Sequence, residues 1–147
     1  MNIRWRQIQF NFVAFSLLTL LLGVCPVVQA QQKPEQLAQQ SAESWLALVD
    51  SGKYSESWEQ ASQYFKAAVT KGQWQSALRA SREPLGKVLS RDLKSATFRK
   101  TLPGAPDGEY VVLQYDSSFE HKESAVETVT AMLDKDGKWK VSGYYIK

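Results

Sequence analysis

The sequence predicts an α+β fold: three helices packed on one face of a curved four-stranded antiparallel meander, behind a cleaved signal peptide. Three observations predict it. Apolar residues recur at helical spacing through residues 37–83, with one tryptophan on each apolar face. From residue 91 onward the pattern changes to alternating, β-branched and aromatic runs. Two of those runs flank Asp134-Lys135-Asp136-Gly137, a hairpin turn by composition.

The N-terminus comes first. Arg4 and Arg6 precede an apolar stretch, Phe12 to Val24, that gives way at Pro26 to Gln29, Gln31 and Gln32. A basic start followed by an apolar core is the layout of an export signal, and this core is short for a spanning helix of about 20 residues. Val28-Gln29-Ala30 fits a small-x-small cleavage site and places the cut after Ala30. Lipid attachment at Cys25, disfavoured by the branched Val24 before it, and an uncleaved anchor are the alternatives. The exported chain then keeps sixteen basic against fifteen acidic residues, a net charge of +1 in place of the precursor's +3. That balance argues against nucleic-acid binding. The only cysteine leaves with the signal, so neither a disulfide nor a thiol nucleophile is available. No membrane span is expected after processing.

Residues 31–36 read as a flexible leader and 37–147 as one domain. Ala38, Ala42, Trp45, Leu46 and Val49 share one face of a first helix, about 37–50, which Gly52 ends. A second helix covers about 54–66, with Trp58, Ala61, Ser62 and Phe65 on one side. Thr70 and Gln73 form a capping box that opens a third, about 71–83, with Trp74, Ala77, Leu78 and Ser81 on one side and Pro84 and Gly86 ending it.

Strands are expected at about 91–102, 109–116, 125–134 and 138–146. Ala96 and Phe98 alternate inward on the first, and Pro103 to Gly108 is a loop. Asp116 to Ser124 reads as a polar connection. A three-residue turn with Gly137 in the left-handed position pairs Leu133 with Trp139 and Ala131 with Val141. The same register sets Val129 across from Gly143 and Glu127 across from Tyr145 on the buried face.

Three segments carry a family resemblance: Ala42-Glu43-Ser44-Trp45 through Gly52-Lys53-Tyr54, Leu102-Pro103-Gly104 through Tyr110, and Asp134-Lys135-Asp136-Gly137 through Tyr145. They resemble the bacterial domain of unknown function 4019 family, over nearly the whole exported chain. The resemblance implies an exported bacterial protein of no assigned activity. More loosely, the helices and the closing hairpin are similar to cone-shaped NTF2-like (cystatin-like) domains.

Little in the chain carries chemistry. His121 is the only histidine, and Glu120-His121-Lys122-Glu123 reads as a solvated loop; Asp134 and Asp136 read as turn residues, so no metal site or cofactor is expected. No nucleophile–base order and no phosphate-binding glycine loop occurs. The cations Arg79, Arg82, Arg91, Lys94, Arg99 and Lys100 read as a solvated face. Glu127 and Tyr145, with Tyr115 and Arg91, are the ligand-binding candidates, because a carboxylate and a phenol near Gly143 suit the rim of a small pocket. The expected function is non-enzymatic binding of a small molecule or an envelope protein. One alternative is a small hydrolase or isomerase using Glu127 and Tyr145; another is a helical interaction module built on Trp45 and Trp58.

Overall fold

A computed structural model describes residues 32–147. The signal segment, its cleavage after Ala30 and Cys25 lie outside the described residues. No described helix is long and apolar enough to cross a membrane.

The fold is α+β. Four helices come first: α1 (Pro34–Asp50), α2 (Tyr54–Gln60), α3 (Gln63–Ala68) and α4 (Lys71–Ser81). A 3-10 turn, Glu83–Leu85, leads into β1 (Val88–Arg99), β2 (Tyr110–Phe119), β3 (Lys122–Leu133) and β4 (Trp139–Ile146). The strands form one antiparallel meander in chain order.

All five residues of the first apolar stripe are buried in α1. The helix starts earlier than the leader reading allowed. Pro34 occupies the first turn, where its missing N–H is no loss, and the Gln36 side chain accepts from the Lys33 N–H at 3.1 Å. The expected second helix is two. The chain extends at Ala61–Ser62, where the Ser62 N–H donates to the Val141 carbonyl at 2.9 Å and the Ser62 hydroxyl caps α3 by accepting from Phe65. That break serves the sheet, because it covers part of the open edge of β4. Ser41 Oγ, from α1, covers the Trp139 carbonyl in the same way at 2.7 Å. The capping box of α4 forms from Thr70 and Gln73.

Trp45 and Trp74 are buried with ring centroids 5.7 Å apart, and Phe65 packs edge-on to Trp74. Both indoles are satisfied at one residue: Trp45 donates to the Ser57 carbonyl and Trp74 to the Ser57 hydroxyl. Trp58 is only partly buried, its indole donating to the Val69 carbonyl. The helices cover the sheet face that carries Val111, Leu113, Tyr115, Val129, Ala131 and Val141.

Three strand expectations change. The polar stretch 116–124 is not a connection: β2 runs to Phe119, β3 starts at Lys122, and Glu120-His121 is the whole turn. That turn is locked to the segment before β1, with the Glu120 N–H on the Lys87 carbonyl, the His121 N–H on the Leu85 carbonyl and Glu120 Oε2 accepting from the Lys87 N–H at 2.8 Å. β1 carries irregularities at Leu89 and Lys94 and stops at Arg99. The last hairpin has the expected turn, with Gly137 at φ +75° and Asp134 bonded to Lys138. Leu133 faces Trp139 and Ala131 faces Val141, but Thr130 then faces Gly143. Ser142 is an extra residue, a β-bulge that absorbs one position. Beyond it Tyr144, not Tyr145, occupies the buried face.

Candidate functional site

The inward positions of β2 and β3 turn polar at one end of the sheet. Ser117 and Glu127 follow Leu113, Tyr115 and Val129 on the buried face, and Glu127 is fully buried. An isolated carboxylate there would carry a large desolvation penalty. It is instead saturated. Arg91 donates from Nε to Oε2 at 2.7 Å and from Nη2 to Oε1 at 3.1 Å. Ser117 Oγ donates to Oε2 and the Tyr144 hydroxyl to Oε1, both at 2.6 Å. Four donors on two oxygens use the whole acceptor capacity of a carboxylate.

Arg91 lies between two acids. Its Nη1 and Nη2 also reach Asp50, at the end of α1, at 2.7 and 3.0 Å. Asp50 takes a third donor from Arg82 Nη2 at 3.0 Å. Arg82 is itself buried at the end of α4, donating to the Gly86 carbonyl at 2.6 Å and lying 4.4 Å over the Phe119 ring. Two guanidinium groups and two carboxylates thus form a neutral quartet that pins α1, α4, β1 and β3 to one point.

The electrostatics follow from this packing. Burial pushes the Asp50 carboxyl up, but hydrogen bonds and charge from Arg91, then Arg82, outweigh it and hold the group below its ordinary value. Desolvation pulls Arg91 down, and its bonds to Asp50 and Glu127 more than reverse that, so its pKa rises. Burial, then the Glu127 charge, drives the Tyr144 phenol up. Tyr115 is pushed up to about 12, chiefly by burial, and its hydroxyl has no hydrogen-bond partner among the described residues.

Of the expected site residues, Arg91 and Glu127 are in direct contact, and Tyr115 stands directly across β2–β3 from Glu127. Tyr145 is not with them: it is 63% exposed on the opposite face, pairing with Thr128. The acid–base pair of Glu127 and Tyr145 therefore does not form. Arg82 and Arg91 also leave the solvated cationic face, being 3% and 15% exposed at the side chain, whereas Arg79, Lys94, Arg99 and Lys100 remain on it. The residues the sequence did not offer are Asp50, Arg82, Ser117 and Tyr144. Asp50 read as the approach to a helix stop, and nothing local to it announces a partner 41 positions away.

Beside the quartet opens a cleft of about 430 Å³. Asp50, Tyr54 and Arg82 lie in its lining, with Arg79, Glu83 and Lys87 exposed among its walls. A second, more apolar groove of about 630 Å³ lies between α3, the 106–108 loop and the end of β3, with Tyr64, Ala67, Pro106 and Met132 in its lining. Among the described residues no group of three or more His, Cys, Asp or Glu side chains could hold a metal ion.

A meander covered on one face by helices, with a neutral ion quartet where they meet, defines a small α+β domain. The chain belongs to DUF4019, the family described as protein of unknown function, which matches residues 41–144. No curated protein gives a significant match to it.

Proposed function

We propose that this is an exported, non-enzymatic binding domain, processed after Ala30, whose ligand is a small polar molecule held in the cleft beside Asp50 and Arg82. The carrying observation is how far the two carboxylates are already engaged. Glu127 accepts four donors and keeps no site for a substrate proton, while Asp50 accepts three, all from Arg91 and Arg82, whose charge holds it ionised. Arg91, itself held by Glu127, positions Asp50 in the cleft wall from behind; neither these two nor Tyr115 lies in the lining. The cleft's volume suits a small ligand. Its walls offer Arg79 and Lys87 beside Glu83, which favours a molecule carrying both a negative and a positive group. The export reading rests on Arg4, Arg6, the apolar stretch and Val28-Gln29-Ala30.

Native mass spectrometry of the processed protein tests both. A chain beginning at Gln31 with a co-purified mass that vanishes in Arg79→Glu/Lys87→Glu is the expected result. A mass unaffected by that double change overturns the cleft; an acylated chain beginning at Cys25 overturns the processing.

The groove at Tyr64 and Met132 favours a second reading, binding of an envelope protein through an apolar segment, because its lining is the more apolar of the two.

A further inference from the structure

We infer that the C-terminal half of β4 is a strand-addition site for a second copy of this chain. Val126 and Lys147 exchange both backbone hydrogen bonds across β3–β4. In an antiparallel ladder bonded and non-bonded pairs alternate. Tyr145, paired with Thr128, is therefore bonded inward, and the N–H and C=O groups of Tyr144 and Ile146 point out along the open edge. The same alternation aims Trp139 and Val141 outward before the bulge, and there the edge is covered, by Ser41 and Ser62. No such cover reaches Tyr144 and Ile146 among the described residues. They leave a short bare edge of the kind other chains pair with.

The occupant is a second copy because the edge is complementary to itself. Antiparallel pairing about a twofold axis at Tyr145 sets Tyr144 opposite Ile146 of the second copy and makes four backbone hydrogen bonds. It also brings Ile146 of the second copy to the buried-face side of Tyr144. There lies a cleft of about 170 Å³ lined by Trp74, Ala77, Leu78 and Ser81 from α4 and by the chain's own Tyr144, Tyr145 and Ile146, with no residue of β3 in its lining, which places it on the open side. A branched aliphatic side chain fits within it, beside the chain's own Ile146, and the insertion is reciprocal. On the other face Tyr145, 63% exposed in the single chain, meets its own copy as a non-bonded pair with close side chains. Three paired residues and one inserted side chain from each copy cover much less than the roughly 800 Å² per partner of a stable interface. The dimer is therefore weak and concentration-dependent, not obligate.

The test is sedimentation equilibrium of the natively processed protein, with oxidative cross-linking of Tyr145→Cys. Twice the monomer mass at high concentration is expected. Ile146→Pro, which removes an outward N–H and no ladder bond to β3, should weaken the association at least tenfold with the melting midpoint little changed. Tyr145→Cys should oxidise to a covalent dimer, while wild type and Thr128→Cys under the same oxidant should not. A monomer at every concentration, a dimer that survives Ile146→Pro, or cross-linking of Tyr145→Cys no faster than Thr128→Cys would each overturn the assignment.

Discussion

The hydroxyl of Tyr144 donates to Glu127 Oε1 at 2.6 Å, while Tyr145, the next residue, points away from it. The cause is one residue, Ser142. Uninterrupted alternation from the Gly137 turn would bring Tyr145 to the buried face, and the bulge shifts every later side chain by one. Gly143 accompanies it, and a Cβ added there would meet only the Thr130 side chain within 4 Å among the described residues outside its chain neighbours.

Glu127→Gln tests whether the quartet is structural. The substitution keeps the shape but leaves Arg91 with one carboxylate in a buried setting. Removing one partner of a buried pair costs about 3–5 kcal/mol, and the lower end applies here because Asp50 still faces Arg91. Urea unfolding of the wild type and the variant checks it. A difference under about 1 kcal/mol would mean that the network holds nothing together.

Like Asp134, Asp50 contributes to the acid sensitivity of the fold. Its folded pKa lies below the unfolded value of about 3.9, so the unfolded chain binds the proton more readily. The stabilisation is present above that unfolded value and is lost as pH falls through the lower folded one. The urea midpoint should drop below about pH 4, and Asp50→Asn should lose much of that slope. Equal slopes in the two proteins would place the acid sensitivity elsewhere.

How far the sequence foretold this depends on the range of each signal. The α1 stripe, the Thr70 capping box and the Gly137 turn are local, and each forms as read. The break at Ala61–Ser62 has no helix-breaking residue; its reward is the Ser62 bond to Val141, 79 positions away, which helical periodicity cannot register. Glu120-His121 was hidden for a related reason: a polar turn and a polar outer face look alike until the backbone of residues 85–87 holds it. The quartet is the extreme case. Arg82 and Arg91 have the composition of a solvated face, and only packing shows that Asp50 and Glu127 meet them.

The tryptophans should not be equivalent. Trp45 is 3% exposed and its indole is bonded to Ser57, whereas Trp139 lies at the edge of the core, partly buried against Leu133. Trp45→Ala should destabilise by about 3–5 kcal/mol and Trp139→Ala by clearly less. Thermal or urea melts of the pair decide this, and equal losses would show the hairpin end to be as tightly packed as α1.

Gly86 holds the joint between α4 and β1. Its φ is +75°, and an added Cβ would come within 2.6 Å of Glu120 Oε2 and 2.9 Å of Glu120 Cβ. Gly86→Ala should therefore cost about 1–3 kcal/mol through backbone strain and displacement of the Glu120-His121 turn. Amide exchange at Lys87 and His121 should speed up by more than at Leu113 if the turn is released, and uniform acceleration would argue for global destabilisation alone.

The sharpest comparison uses the two adjacent tyrosines. Tyr144→Phe removes only an oxygen, but leaves Glu127 Oε1 short of one donor in a site without solvent access. A hydrogen bond to a charged group is worth about 1.5–3 kcal/mol, and loss in that range is expected. Tyr145→Phe removes the same atom from an exposed ring and should change stability by no more than about 0.5 kcal/mol. The two variants have identical chemistry at neighbouring positions, so their difference reads the register alone. Urea melts showing the larger loss in Tyr145→Phe would mean that the bulge at Ser142 is absent and that the unshifted alternation is the true one.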